Sequence, residues 1–386
     1  MARGLSMALL VCMVLTLVAG CGGSKGDIII GHFTPMSGDT AAWGQMEIKG
    51  VQLAEAEINA AGGLLGRKVK IITYDDRGDK VEAVNVVKKL ISEKAVAIVG
   101  EQTSSASMAA GPIVAAAKVP AVATTSTNPR VTVGDDGKLN PYYFRVCFID
   151  PFQGRALAFY SMKKLNKSKA AILYDIGEDY AVGLTEAFKQ NFTEMGGKVV
   201  AIETFKGGEE DFRAQLTRIK QANPEVIFMP IYYKEAALAM KQARELGITA
   251  VFLGGDGFES PTLTEMGGPA AEGCIFASHY SSEDTAPLLR KFIDNFKKKF
   301  NEDPDNNSAL AYDAVLVIAD AIKRAGKDDP QAIRDAIEST KSLQVVTGVI
   351  TIDKATHNPL DKTVVIDIVK NGKITFLERL DLSQVK

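Results

Sequence analysis

The sequence predicts an α/β protein built as two doubly wound lobes, and three observations carry that prediction. Short apolar runs alternate with longer amphipathic stretches from residue 27 to about residue 123, and the alternation restarts near residue 170. The runs leave into loops rich in hydroxyl side chains in the first half, and into a glycine-rich loop in the second. The length, 386 residues, is that of two domains of ordinary size.

The chain opens on a targeting pattern rather than on a fold. Arg3 supplies a positive charge, Met7 to Val18 is apolar, and Leu17-Val18-Ala19-Gly20-Cys21 closes the segment with small residues before a cysteine. Residues 1–20 therefore read as an export signal. The pattern resembles the bacterial lipoprotein signal, in which the cysteine, here Cys21, becomes the lipidated first residue of the mature chain; an ordinary cleaved signal is the alternative. Residues 21–26 read as a flexible tether. No later run is long enough to span a bilayer, so membrane attachment is expected through the lipid only.

In the first lobe, strands are expected at Asp27–Phe33, Lys68–Asp76, Ala95–Val99 and Val119–Ala123. A helix from about Gln45 to Ala60 stops at Gly62-Gly63. A second, Lys80 to Ser92, carries Val81, Val84, Val87, Leu90 and Ile91 along one face. The third strand runs into Gly100-Glu101-Gln102-Thr103-Ser104-Ser105-Ala106-Ser107, ahead of a helix from Met108. Ligands bind where a parallel strand hands over to a helix, because free N–H groups collect there. With no Lys or Arg in the stretch, an anion would be held by hydroxyls and N–H groups, which suits a carboxylate; plain helix capping is the competing account. The fourth strand exits into a second hydroxyl-rich loop, Thr124 to Pro129.

Tyr142 to Pro151 looks like a passage between lobes. In the second lobe, strands are expected at 170–174, 198–202, 226–230 and 251–253, with helices at 180–195, 211–222 and 234–246. The last strand exits at Gly254-Gly255-Asp256-Gly257-Phe258. Gly273 to Ser278 looks like a second passage. Helices at about 285–300, 308–325 and 330–339 follow, the first two returning to the first lobe, then a strand at 349–352. The tail is a hairpin turning at Asn371-Gly372, the favoured sequence for a type I′ turn.

Enzyme chemistry finds little support, and no cofactor is expected. His32, His279 and His357 lack metal-ligand spacing, and there is no phosphate-binding G-x-x-x-x-G-K-[ST] loop and no G-x-S-x-G elbow. Gly62-Gly63-Leu64-Leu65-Gly66 follows a helix and precedes a strand, the wrong order for a dinucleotide site. Asp75-Asp76 at a strand exit are expected to bind loop N–H groups. The formal net charge of −2 gives no pull toward nucleic acid. Cys147 and Cys274 are expected to be buried free thiols rather than a bridge.

If the lobes face each other, Ser104, Thr125 and Thr127 meet Asp256 across a cleft. Hydroxyls and N–H groups suit a carboxylate and an aspartate suits an ammonium, so the pair fits an α-amino acid. Asp256 as a simple turn residue between glycines is the alternative.

An ordered set of pieces then resembles the leucine/isoleucine/valine-binding proteins, the type I periplasmic receptors of branched-chain amino acid ABC importers. The set is Met36-Ser37-Gly38, Ile58-Asn59-Ala60-Ala61-Gly62-Gly63, Tyr74-Asp75-Asp76, and Gly100 with Thr103-Ser104-Ser105. It continues with Lys241-Gln242-Ala243-Arg244 before Gly247, Gly255-Asp256-Gly257 and Ala271-Glu272-Gly273. The resemblance implies two lobes joined by three hinge crossings, one of residues 27–146 and 279–347, the other of 147–278 and 348–386, closing on ligand as a clamp. It implies a non-enzymatic receptor for an aliphatic amino acid, partnered by ABC permease subunits. Ser104 and Thr127 would hold the carboxylate, Thr125 would offer its backbone, and Thr127 and Asp256 would meet the ammonium. Gln102 and Ser105 would join the site, and Trp43, Tyr180 and Tyr232 would wall it. Two departures stand out: the family's glutamate is Asp256 here, and its disulfide positions correspond to Gly78 and Thr103. Relatives of the family take amides, urea, short peptides or aromatic acids, and others serve as sensors, so these remain alternatives.

Overall fold

The computed structural model describes residues 26–360, 362–381, 383 and 385; the expected signal, Cys21 and most of the tether lie outside the described residues. The first lobe is built from β1 (Ile28–Thr34), α1 (Ala41–Ala60), β2 (Val69–Asp75), α2 (Lys80–Ser92), β3 (Ala97–Val99), α3 (Ser104–Ala117), β4 (Ala121–Ala123) and β5 (Tyr143–Arg145). Its five strands are parallel, in the order β2-β1-β3-β4-β5. All strand exits therefore fall on one edge, where helix N-termini also gather.

The second lobe contains α4 (Asp150–Phe159), β6 (Lys169–Asp175), α5 (Asp179–Glu194), β7 (Lys198–Phe205), α6 (Arg213–Gln221), β8 (Val226–Met229), α7 (Tyr233–Glu245), β9 (Val251–Gly254), α8 (Pro261–Gly267) and β10 (Ile275–Ser278). The chain then returns to the first lobe as α9 (Pro287–Phe300), α10 (Asn306–Ala325), α11 (Pro330–Glu338) and the hairpin β11 (Leu343–Val345) and β12 (Gly348–Ile350). It ends in the second lobe as β13 (Val364–Lys370) and β14 (Lys373–Leu380), which complete a seven-stranded sheet, β14-β13-β10-β9-β8-β6-β7. Asn371 and Gly372 take φ of +54° and +72°, the positive values a type I′ turn requires.

Several sequence expectations change. Residues 143–145 of the expected first passage are the edge strand β5, and residues 275–278 of the second are the central strand β10. Both are short and buried on both faces, so neither shows an alternating pattern. The helix α4 was not expected: it is buried nearly all round, which erases the apolar stripe that marks a surface helix. Val81 is 66% exposed, and α2 packs through Ala83, Val86, Val87 and Leu90 instead. Asp79 caps the N–H groups of Val81 and Glu82, and Val81 in that first turn faces solvent.

Three passages join the lobes. The first follows β5, the second follows β10, and the third lies between Ile352 and β13. Ile350 and Ile352 are buried in the first lobe's core, so this third passage falls after the expected 347/348 boundary. Histidines knit the passages. His279 stacks on Phe148 with ring centroids 3.8 Å apart, and His357 stacks on Phe144 at 4.0 Å. His357 Nδ1 also lies 3.0 Å from the Tyr143 carbonyl. Cys147 and Cys274 are both buried and free.

Candidate functional site

The hydroxyl-rich stretch after β3 is the first turn of α3, which begins at Ser104 and not at Met108. Thr103 occupies the cap position but makes no side-chain cap bond. Its hydroxyl donates instead to Glu101 Oε2 at 2.6 Å, and that oxygen also accepts the Thr103 N–H at 2.5 Å. The first-turn N–H groups of α3 thus receive no cap from the Thr103 side chain, and the positive end of the helix dipole lies at this turn. The simple-capping account of this stretch does not hold for Thr103.

The cleft between the lobes closes on a small cavity. Of the expected ligand contacts, Trp43, Gln102, Ser104 and Thr125 line it from the first lobe, and Tyr180, Tyr232 and Asp256 from the second. Gly257, Asn306 and Asn307 complete the lining, and neither lysine nor arginine contributes to it. Thr125 Oγ1 donates to the Gln102 carbonyl at 3.2 Å, and Ser104 Oγ accepts the Asn128 N–H at 3.1 Å, so the two hydroxyl-rich loops brace each other.

Two expected contacts lie elsewhere. The Ser105 hydroxyl donates to Asp179 Oδ2 at 2.9 Å and accepts the Asp179 N–H at 3.0 Å, so it latches α3 to α5 across the lobes. Asp179 also receives Arg130 at 3.1 Å and Lys80 at 3.4 Å. Thr127 is fully buried and does not line the cavity, and its hydroxyl has no hydrogen-bond partner. The Ser105 displacement was not legible, because Asp179 belongs to the other lobe.

The far wall is ordered by close approach. A Cβ on Gly255 would sit 2.3 Å from Tyr180 Oη, so only glycine lets the tyrosine reach in. Tyr180 Oη accepts the Gly257 N–H at 3.1 Å. Tyr180 stacks on Tyr232 at 5.4 Å, and Trp43 meets Tyr232 edge-on at 5.1 Å. The Trp43 indole N–H donates to the Glu259 carbonyl at 2.7 Å, a second latch between lobes.

Asp256 is held on both oxygens. Oδ1 accepts Gln153 Nε2 at 3.1 Å, and Oδ2 lies 2.9 Å from His279 Nε2. Gln153 Oε1 accepts the Asp256 N–H at 3.2 Å, closing the loop. Burial pushes His279 below its ordinary value, against the pull of Asp256, so at neutral pH it is a neutral donor. The Asp256 carboxylate therefore meets no cation in the cavity. Sequence reasoning missed Gln153, His279, Asn306 and Asn307. His279, one residue past a strand exit, was the one with a signal to follow.

Behind the α3 turn sits a group of buried acids. Burial raises Asp76 to about 7 and Glu101 well above the carboxylate range, with Glu47 adding repulsion to both. These groups bind protons in the native state that the unfolded chain has released, so their contribution is complete below about pH 4 and is lost as pH rises through 7. Unfolding free energy is expected to fall between pH 5 and pH 8, on the order of 2 kcal/mol from Asp76 alone. Asp76→Asn should flatten that slope in denaturant titrations; a slope of opposite sign would refute the assignment. Both acids bind loop N–H groups as expected: Asp75 accepts those of Met36 and Arg77 with the Ser37 hydroxyl, and Asp76 Oδ1 accepts the Gly78 N–H at 3.0 Å.

Comparison with known proteins agrees with this architecture. Residues 27–373 match the model of a family described as periplasmic binding protein. The chain is 30% identical over 374 residues to Leu/Ile/Val-binding protein homolog 2 of Brucella abortus (strain 2308), covering 96% of this chain and 98% of the relative. Among solved structures, it is similar to the leucine binding protein LivK of Thermotoga maritima MSB8, at 39% identity and TM-score 0.87 over 92% of this chain and 99% of the other. It is also similar to the branched-chain amino acid transporter substrate binding protein LivJ of Streptococcus pneumoniae str. Canada MDR_19A, solved with isoleucine, at 35% identity and TM-score 0.84 over 91% and 99%. A benzoate-bound solute binding protein of R. palustris, 24% identical with TM-score 0.81, shares the fold. A two-lobed α/β chain, closed on a small cavity and matched along nearly its whole described length, belongs to the periplasmic binding protein family, and within it to the leucine/isoleucine/valine-binding proteins of ABC transporters.

Proposed function

We propose that the protein is an exported receptor that closes on an α-amino acid and delivers it to the permease of an ABC importer. The observation that carries the reading is the pairing across one cavity. Ser104, Thr125 and the α3 N-terminus stand on one wall, and the Asp256 carboxylate, with no cation beside it, stands on the other. Ser104, Thr125 and the free N–H groups hold the ligand carboxylate. Asp256 accepts from the ammonium, and Gln153 and His279 hold it in place. The walls of Trp43, Tyr180 and Tyr232 suit an uncharged ligand side chain. The relatives' names support the same class. Cys21 carries the lipid that holds the mature receptor at the membrane.

Calorimetry on protein freed of bound ligand, with the common amino acids, a urea, an amide and benzoate, tests the reading. At least one amino acid is expected to bind unaltered and to be recovered unchanged by mass spectrometry. Silence from all of them, with binding of benzoate, urea or the amide, would overturn it.

A further inference from the structure

Gln102 and Asn306 are the residues of the cavity that the amino-acid reading leaves without work. Gln102 is 3% exposed, and neither its Nε2 nor its Oε1 has a hydrogen-bond partner. Asn306, at the start of α10, is 1% exposed, and its Oδ1 is likewise unpartnered. Both line the same cavity as Ser104 and Asp256. The ligand's carboxylate and ammonium are already matched by Ser104, the α3 turn and Asp256. The Gln102 amide and Asn306 Oδ1, with the likewise unpartnered Tyr232 hydroxyl on the other wall, therefore face whatever else the ligand carries. An all-hydrocarbon side chain would seal them away from water with nothing to bond, and buried polar groups left unpaired are costly.

We propose that the preferred ligand is an α-amino acid whose side chain is of aliphatic size but bears an uncharged hydrogen-bonding group, an amide or a hydroxyl, which Gln102 and Asn306 read. The proposal rests on the amino-acid reading above and departs from the all-aliphatic side chain that the relatives' names support. A side-chain amide matches best, because its N–H groups meet Gln102 Oε1 and Asn306 Oδ1 while its carbonyl meets Gln102 Nε2. A charged tip is disfavoured because no lysine or arginine lines the cavity to meet an acid, and a second cation would be enclosed without a second carboxylate lining it. Sites that bond a ligand's polar group reject the analogue lacking it far more strongly than an apolar pocket rejects a missing methylene.

Isosteric pairs test this on the wild-type protein by calorimetry: asparagine against leucine, and threonine against valine. The polar member of at least one pair is expected to bind about tenfold or more tightly than its apolar partner. Gln102→Leu, checked for an unchanged unfolding midpoint, should narrow or invert that ratio while binding of the apolar partner holds or improves. Tighter binding of leucine and valine to the wild type, or a ratio unmoved by Gln102→Leu, overturns the polar-tip proposal and leaves the amino-acid reading standing. Binding of no amino acid at all overturns both.

Discussion

Asp256→Ala is expected to weaken binding of the amino acid ligand by at least ~1.5–3 kcal/mol, the range for a hydrogen bond to a charged group. The argument runs through the enclosure of the ligand ammonium. When the lobes close, that cation loses water, and the carboxylate opposite is what replaces it. Neutral His279 and the Gln153 amide cannot, since each already donates to Asp256. Removing the carboxylate also strands those two donors, so the loss includes their cost. Asp256→Asn separates the parts: it keeps a bonding group for its neighbours and removes the charge. Titration calorimetry should show most of the loss already in Asp256→Asn. Unchanged affinity in both variants would remove Asp256 from the site.

Arg145→Met is expected to cost about 1.5–3 kcal/mol of stability, the range for hydrogen bonds made by a charged group. Arg145 has no exposed surface. Its guanidinium donates to the carbonyls of Ser126 at 2.5 Å and Asn128 at 2.8 Å, and reaches Thr132 Oγ1 at 3.3 Å. Burial pulls its ionisation down, yet Asp150 beside it favours the charged form. Methionine fills similar space but leaves the Ser126 carbonyl with only the weak Cys147 thiol donor at 3.4 Å and the Asn128 carbonyl with only the Val131 N–H at 3.1 Å. Those residues belong to the loop that supplies Thr125 and that bonds Ser104 through the Asn128 N–H. Denaturant unfolding should therefore report a lower midpoint, and ligand affinity should fall with it. A loss under about 1 kcal/mol would show that the loop holds itself.

Both residues illustrate how far the sequence could be read. Asp256 was legible because two local facts coincide there: an apolar run ends, and glycines flank an acid. Arg145 was not, because its work is done on carbonyls of a loop some twenty positions upstream. Ser105 and Thr127 show the same limit within the site. Both were expected at the ligand on the strength of their neighbours. The lobe contact instead turns Ser105 to Asp179, and Thr127 is buried outside the cavity lining. The stacked His279 looked idle for want of metal spacing, yet the fold makes it the support of Asp256.

The sequence by itself determined the two α/β lobes, the strand-end loops that face each other, and the presence of hydroxyls on one loop and an acid on the other. Those are local matters: periodicity, glycine stops and turn chemistry act over a few residues. Only the tertiary structure decided which hydroxyls reach the cavity and which latch the lobes. It also decided where the third crossing falls, and that Gln102 and Asn306 line the cavity with polar atoms unpartnered. The physical reason is that burial and partnership are properties of surfaces brought together from distant positions, and no stretch of chain contains its own opposite wall.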